Sequence, residues 1–195
     1  KLNFNSLKSF KENTLPNTLE HLEVTNNNLF DVKNLPDSVK LLNLSNNSIN
    51  KVTNLPKNLE KLVLINNKIL SLDNVTYPDK LSEIEIEYNY LEKIPNNLPK
   101  SLKGLFLDHN KVSVLNNCPE ELETLSCDSN QVHTVEKLSH IKNLDKKDAD
   151  TLLHESLKNI AEARPEDVNI DINNENSFKM RALLRLLNFV SKKLI

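Results

Sequence analysis

Apolar and polar residues follow a unit of about 20 residues that recurs through most of the chain. Each copy has a proline, usually after a leucine, then an aliphatic-x-x-aliphatic-x-aliphatic segment, and then an asparagine two residues before another aliphatic residue. Such a repeat is one supersecondary unit that stacks on copies of itself. The prolines are Pro16, Pro36, Pro56, Pro78, Pro99 and Pro119, with periods of 20, 20, 22, 21 and 20 residues.

Two aliphatic columns define a short strand in every copy. Polar residues lie between them, which is the period-2 pattern of a strand with one buried face. The pattern predicts a parallel sheet over a shared aliphatic core. The first column is Leu22, Leu42, Leu62, Ile84, Leu105 and Leu125, and the second is Val24, Leu44, Leu64, Ile86, Leu107 and Cys127.

An asparagine and a proline recur at nearly constant positions in each copy. An asparagine side chain has donors and an acceptor, so a stacked column of them can satisfy backbone groups where each strand turns into the core. Proline fixes φ and blocks helix, so the return side of each coil is expected to be extended and polyproline-like. The asparagines are Asn27, Asn47, Asn67, Asn89, Asn110 and Asn130.

These residues carry a family resemblance. Leu59-x-x-Leu62-x-Leu64-x-x-Asn67-x-Ile69 fits the leucine-rich-repeat pattern. The short period and the Leu-Pro opening resemble the bacterial LPX subclass, found in secreted effectors of the Yersinia outer protein M and Shigella invasion-plasmid-antigen kind. The resemblance implies an α/β solenoid: a right-handed superhelix with short parallel strands on its concave face, and protein binding as its function.

The repeats are expected to span 1–138, with a truncated first copy, since Leu2, Asn5 and Leu7 fill the slots of a copy that has lost its start. We therefore expect the natural protein to extend further towards its N-terminus. Effectors of this group commonly have a helical hairpin before the repeats, whereas the helical pattern here follows them. The ligase members add a helical domain with a Cys-x-Asp motif, which this chain lacks.

Residues 139–195 are expected to form a C-terminal helical cap region, because the repeat spacing ends after Val135. Lys146–Ala163 and Phe178–Lys193 have helical periodicity and would cover the last core layer. The second helix has basic residues in a broad apolar surface. Contact of Phe178–Ile195 with an anionic membrane, or its pairing with another chain, is therefore the alternative to a purely capping role.

The composition of the chain argues against several classes of function. A formal net charge of -2 argues against a general nucleic-acid binder, which needs a basic surface. Two cysteines, Cys118 and Cys127, are too few for a disulfide framework or a zinc cluster, so a reducing compartment is expected. A single glycine excludes Gly-rich phosphate loops, and no cofactor is expected.

Candidate binding residues lie at the non-core strand positions, which neighbouring repeats bring within about 4.8 Å of one another. From Val63 onward this face turns apolar and acidic. Stacked carboxylates repel one another, so we predict a protein partner with a basic patch and apolar anchors beside the acids. The predicted site comprises Val63, Ile65, Glu85, Glu87, Tyr88, Phe106, Asp108, His109 and Asp128.

Two other interpretations of these acids remain open: they keep an exposed sheet soluble, or they hold a divalent cation. Catalysis is disfavoured, since no nucleophile with an oxyanion donor accompanies His109. Cys127 followed by Asp128 is not a catalytic pair, because Cys127 takes a core slot.

The function expected from the sequence is a non-enzymatic protein-interaction scaffold, a bacterial virulence effector secreted into the host cytosol. The first alternative is the substrate-recognition module of a larger enzyme of the ubiquitin-ligase type. The second is a fragment of an extracellular receptor. Asn43, Asn46 and Asn74 are in glycosylation sequons, but cysteine-rich caps are absent from the sequence.

Overall fold

The computed structural model describes residues 1–132, 134–135, 141 and 143–144. These residues contain short strands and no helix. The strands are β1 (His21–Glu23), β2 (Asp31–Val32), β3 (Leu41–Asn43), β4 (Lys51–Val52), β5 (Lys61–Val63), β6 (Glu83–Glu85), β7 (Gly104–Phe106), β8 (Val114–Leu115), β9 (Thr124–Ser126), β10 (Thr134–Val135) and β11 (Asn143–Leu144).

One strand from each repeat joins a seven-stranded parallel sheet in the order β1-β3-β5-β6-β7-β9-β11. The pairing is in register along the aliphatic columns, so Leu42 aligns with Leu62, and Leu62 with Ile84. The same alignment continues from Ile84 to Leu105 and from Leu105 to Leu125. The predicted solenoid of stacked repeats is therefore confirmed.

Both aliphatic columns lie in the core. Every member is at most 4% exposed, and most are completely buried. The burial of one such side chain contributes roughly 1.5–3 kcal/mol to stability, so the core of stacked leucines is the main favourable term in folding. Cys127 fills its slot like the aliphatic residues, with 4% exposure.

The asparagine column bonds each repeat to the one before it. The side-chain amide of Asn89 donates to the carbonyls of Leu64 (3.0 Å) and Ile86 (3.1 Å), and its carbonyl accepts from the Ile69 N–H (3.0 Å). This arrangement recurs at Asn47, Asn67, Asn110 and Asn130. The predicted role of the asparagines is confirmed.

The prolines lie in turns that lead into the strands. In each copy the proline carbonyl accepts from the N–H three residues later, as between Pro56 and Leu59 (3.1 Å). The return side also contains two short parallel pairs, β2 with β4 and β8 with β10, and a bridge from Asn54 to Thr76. A purely polyproline-like return side was therefore an incomplete prediction, because adjacent return segments pair where they run alongside each other.

The sheet continues beyond residue 138, the predicted end of the repeats. β11 pairs with β9, and Leu144 aligns with Leu125. The repeat pattern is hard to recognise there, because the sequence has Lys146 at the spacing where earlier copies have the second aliphatic residue.

Most of the predicted cap region lies outside the described residues. This applies to both predicted helices, at 146–163 and 178–193, and to the alternative membrane contact through Phe178–Ile195. In the part of the chain that the structure describes, no helix is long and apolar enough to cross a membrane.

Candidate protein-binding surface

The side chains that point away from the core form the open face of the seven-stranded sheet, the face that the sequence predicts to be concave. Strand pairing aligns Val63 with Glu85 and Glu85 with Phe106. Phe106 in turn aligns with Ser126. The apolar and acidic positions of four neighbouring repeats therefore lie side by side across the strands.

The alignment continues past the strand ends through further backbone bonds. The Tyr88 N–H donates to the Asp108 carbonyl (2.9 Å), and the His109 N–H donates to the Asp128 carbonyl (2.8 Å). The Asn66 N–H donates to the Glu87 carbonyl (2.9 Å). The nine predicted site residues thus lie together on the open face or at the carboxyl ends of its strands.

Their exposure differs in a way that the sequence does not reveal. Val63 is only 5% exposed, so it offers a partner little contact area. Tyr88 and His109 are exposed, with Tyr88 at 54%. The remaining six are partly buried: Ile65, Glu85, Glu87, Phe106, Asp108 and Asp128.

Lys61 neutralises part of the acidic surface. Its Nζ lies 2.6 Å from Glu83 Oε1 and 2.5 Å from Glu85 Oε1. These carboxylates raise the pKa of Lys61 against the opposing effect of its partial burial. Sequence reasoning missed Lys61, although its place two residues before Val63 puts it on the same face of the strand.

Asp108 is held by its neighbours on the next repeat. Its Oδ1 accepts from the Ser126 hydroxyl (2.6 Å) and from the Asp128 N–H (2.8 Å). These two donors offset some of the repulsion expected between stacked acids, and they fix the Asp108 carboxylate on the sheet.

Glu87 has the most perturbed carboxyl group of this surface. Its Oε2 is buried and has no hydrogen-bond partner. Burial, followed by the charges of Glu85 and Asp108, raises its pKa from 4.5 to about 7, although a bond to its own backbone and the charge of Lys61 act in the opposite direction. At neutral pH the Glu87 carboxyl is therefore protonated in some molecules and ionised in the others.

This raised pKa predicts a pH-dependent stability. Because the folded-state pKa exceeds the unfolded value, the folded chain keeps a proton that the unfolded chain releases between about pH 4.5 and 7. The stabilisation is complete below that range and is lost as the pH rises through 7. Relative to Glu87→Gln, the wild type should lose on the order of 1 kcal/mol between pH 5 and 8, an amount reduced by solvent screening of a half-buried group.

Urea unfolding of both proteins at the two pH values measures this difference. The Glu87→Gln variant is the matched control because every other titrating group is retained. A constant difference in the free energy of unfolding between the two proteins would contradict the assignment of the raised pKa to Glu87.

Tyr88 and His109 form a stacked pair at the carboxyl edge of the sheet. Their ring centroids are 4.2 Å apart and their planes differ by 16°. Both residues have φ of 55°, the left-handed conformation that Asn46 and Asn66 adopt at the same position of earlier repeats. Asparagine tolerates this conformation, whereas a bulky tyrosine adopts it at a cost of roughly 1–3 kcal/mol. The turn alone therefore does not account for an aromatic residue at 88.

The one glycine of the chain lies beside Phe106. A Cβ added at Gly104 would be 3.2 Å from Cε2 of Phe106 and 3.3 Å from Cγ of Glu83, which is tighter than ordinary contact. The absence of a side chain at Gly104 thus gives the Phe106 ring room on the open face.

The other candidate chemistry has little support. In the range that the structure describes, no group of three or more His, Cys, Asp or Glu side chains is placed to hold a metal ion. Burial raises the pKa of the Cys118 thiol to about 12, so it is a poor nucleophile at neutral pH. Cys127 is buried in the core, which matches the role expected for it.

The solved structures that resemble this chain include the following two. One is a Shigella effector LRR domain, with 28% identity, a TM-score of 0.57, and coverage of 68% of this chain and 60% of that one. The other is YopM from Yersinia enterocolitica WA-314, with 25% identity, a TM-score of 0.55, and coverage of 70% and 34%. The chain has the leucine-rich-repeat fold. It resembles bacterial leucine-rich-repeat effectors, as its motif implies.

The similarity covers only part of each of these two proteins. The chain spans about a third of YopM and three fifths of the Shigella domain. No family model and no curated protein matches the sequence. A leucine-rich-repeat solenoid of this kind is a scaffold for protein interaction, and its open face is the natural candidate for the contact surface.

Proposed function

We propose that this leucine-rich-repeat chain is a non-enzymatic recognition scaffold that binds its protein partner across the open face of β5, β6, β7 and β9. The open face of these strands combines partly buried apolar side chains with carboxylates. Such a mixture, with aromatic groups at its centre and polar groups around them, is typical of protein-binding surfaces.

The observation that carries the proposal is the contrast between the two halves of the open face. In the first half, polar groups satisfy one another: the Ser45 hydroxyl and N–H both donate to Asn43 Oδ1, and Glu23 is paired with Lys1. In the second half, Glu87 keeps a buried oxygen without a partner beside exposed Tyr88. The second half therefore offers a partner both an unpaired buried carboxylate oxygen and an exposed aromatic ring beside it.

The partner that fits is a protein with a basic patch. Positive charges would relieve the repulsion among Glu85, Glu87 and Asp108 and speed association. Phe106 and Ile65 would supply the apolar contacts. Nucleic acid is not part of this proposal, because it would add negative charge to an acidic face.

The likeness to YopM and to the Shigella effector domain supports a wider proposal, that the chain belongs to a secreted virulence effector that binds a host protein in the reducing cytosol of the host cell. The recognition module of a larger ubiquitin ligase is the alternative from the sequence, and no observation favours it over the scaffold.

Capture of host proteins by the immobilised chain tests the proposal. Phe106→Ala with Asp108→Ala should reduce capture of a specific partner from eukaryotic cell lysate about tenfold, since a few central residues carry most of the binding energy. The matched control is His21→Ala with Thr25→Ala, which alters the first half of the same face and should retain capture. Thermal unfolding of each variant establishes that it is folded. Equal capture by all three proteins would reject the open face of β5, β6, β7 and β9 as the contact surface.

A further inference from the structure

The stacked pair of Tyr88 and His109, which we call the aromatic rim, has no evident role in the fold. The same position in the two preceding repeats is Asn46 and Asn66, whose side chains bond each other, with Asn66 Nδ2 donating to Asn46 Oδ1 over 2.8 Å. Asparagine thus tolerates the left-handed backbone conformation, and its side chain also links neighbouring repeats by a hydrogen bond. Replacement by two exposed rings gives up that bond and places tyrosine in a left-handed conformation.

The rim is exposed and adjacent to negative charge. The two rings stack with nearly parallel planes, so each holds the other in place and the outer face of the stack is preorganised. Each ring is preceded in its own repeat by a carboxylate, Glu87 before Tyr88 and Asp108 before His109. One of these, Glu87, has an oxygen without a partner.

Two lysines of these repeats are engaged elsewhere. Lys61 pairs with Glu83 and Glu85. Lys111 lies over the ring of Tyr90, 5.2 Å from its centroid. Neither of these pairs involves the rim.

We propose that the aromatic rim binds the guanidinium group of an arginine side chain on the partner. A guanidinium is planar and charged: its face stacks on aromatic rings while the N–H groups at its edge donate to carboxylates. A lysine ammonium could pair with Glu87 and Asp108 but has no flat face to stack. A neutral planar group could stack but has no charge for the carboxylates.

This inference deepens the proposed function, on which it rests, by naming the chemical group that the open face recognises. The oxygen of Glu87 is buried in the free chain, so its side chain must rotate towards the guanidinium on binding. The rim therefore supplies the initial stacking surface and Glu87 the subsequent ionic bond.

An NMR titration with three capped tripeptides tests the assignment. The probes are acetylated and amidated Gly-Arg-Gly, Gly-Lys-Gly and Gly-citrulline-Gly, and the signals followed are the ring resonances of Tyr88 and His109. The arginine peptide should bind about fivefold or more tightly than either of the others, because only arginine combines stacking with charge. Equal binding of the three peptides would overturn the proposal.

The matched variant is Tyr88→Asn with His109→Asn, which restores the residue that earlier repeats have at this position. It should unfold at the same temperature as the wild type or higher, and should lose the preference for the arginine peptide. The single variant His109→Asn keeps Tyr88 and serves if the double variant is poorly folded; it should weaken arginine binding about threefold, through loss of one ring of the stack. Arginine binding that is unchanged in a folded variant contradicts the inference.

The outcomes separate this inference from the proposed function. If partner capture depends on Phe106 and Asp108 but not on the rim, the arginine assignment is wrong and the recognition surface stands. If capture depends on neither, the proposed function fails as well.

Discussion

Replacement of Asn89 by alanine is expected to destabilise the chain by about 3 kcal/mol or more. The substitution removes the acceptor for the buried Ile69 N–H. It also removes one of two side-chain donors at the carbonyls of Leu64 and Ile86, which keep their bonds from Asn67 and Asn110. A buried polar group left without a partner, as the Ile69 N–H would be, costs about 1–3 kcal/mol, and each of the two further hydrogen bonds lost adds roughly 1 kcal/mol. Asn89 itself is 5% exposed, so water cannot easily replace its side chain.

Urea unfolding followed by circular dichroism measures this loss. The matched control is Asn50→Ala, because Asn50 is also an asparagine of the repeats but is exposed. Its replacement should change the free energy of unfolding by no more than about 0.5 kcal/mol. Similar values for the two variants would show that the asparagine column does not bond the repeats together.

A second large effect is expected at Leu62, in the middle of the core. Leu62→Ala should cost about 3 kcal/mol or more, within the range of roughly 2–5 kcal/mol measured for such truncations, because Leu62 is completely buried between aligned Leu42 and Ile84. Ile65→Ala, three residues later on the open face, should cost about 1 kcal/mol or less, since Ile65 is only partly buried.

The difference between these two substitutions tests the alternation of core and open-face positions. Both remove an aliphatic side chain from the same repeat, so composition and helix or strand propensity change by similar amounts. A greater loss for Ile65→Ala than for Leu62→Ala, measured by urea unfolding, would be incompatible with the assignment of the two faces.

Much of the fold is predictable from the sequence because every repeat has the same physical requirement. Leu62, Leu64 and Asn67 recur at nearly constant spacing, and a stacked array must bury the leucines and satisfy the backbone at each turn. The register of the parallel sheet follows directly, since the columns align only when copies stack one on another. The prediction weakens where the repeat spacing reaches an unsuitable residue, as it does at Lys146 in the sequence after β11.

The candidate site is less predictable, because its properties depend on contacts between repeats. The alternation places Glu85 and Glu87 on the open face, but it does not show that Lys61 pairs with Glu85 while Oε2 of Glu87 has no hydrogen-bond partner. Val63 belongs to the same face and yet is buried. The stacking of Tyr88 on His109 depends on a left-handed backbone position that spacing alone does not identify.

The central claim is that the open face of β5, β6, β7 and β9 contacts the partner. Titration calorimetry with the captured protein tests it most directly. The account predicts that Phe106→Ala with Asp108→Ala raises the dissociation constant at least tenfold, which is the loss of affinity expected for central residues of an interface. The variant His21→Ala with Thr25→Ala should bind within about twofold of the wild type, because these residues lie outside the proposed interface. Equal affinity of the wild type and the Phe106 and Asp108 variant, with both folded, would contradict the account.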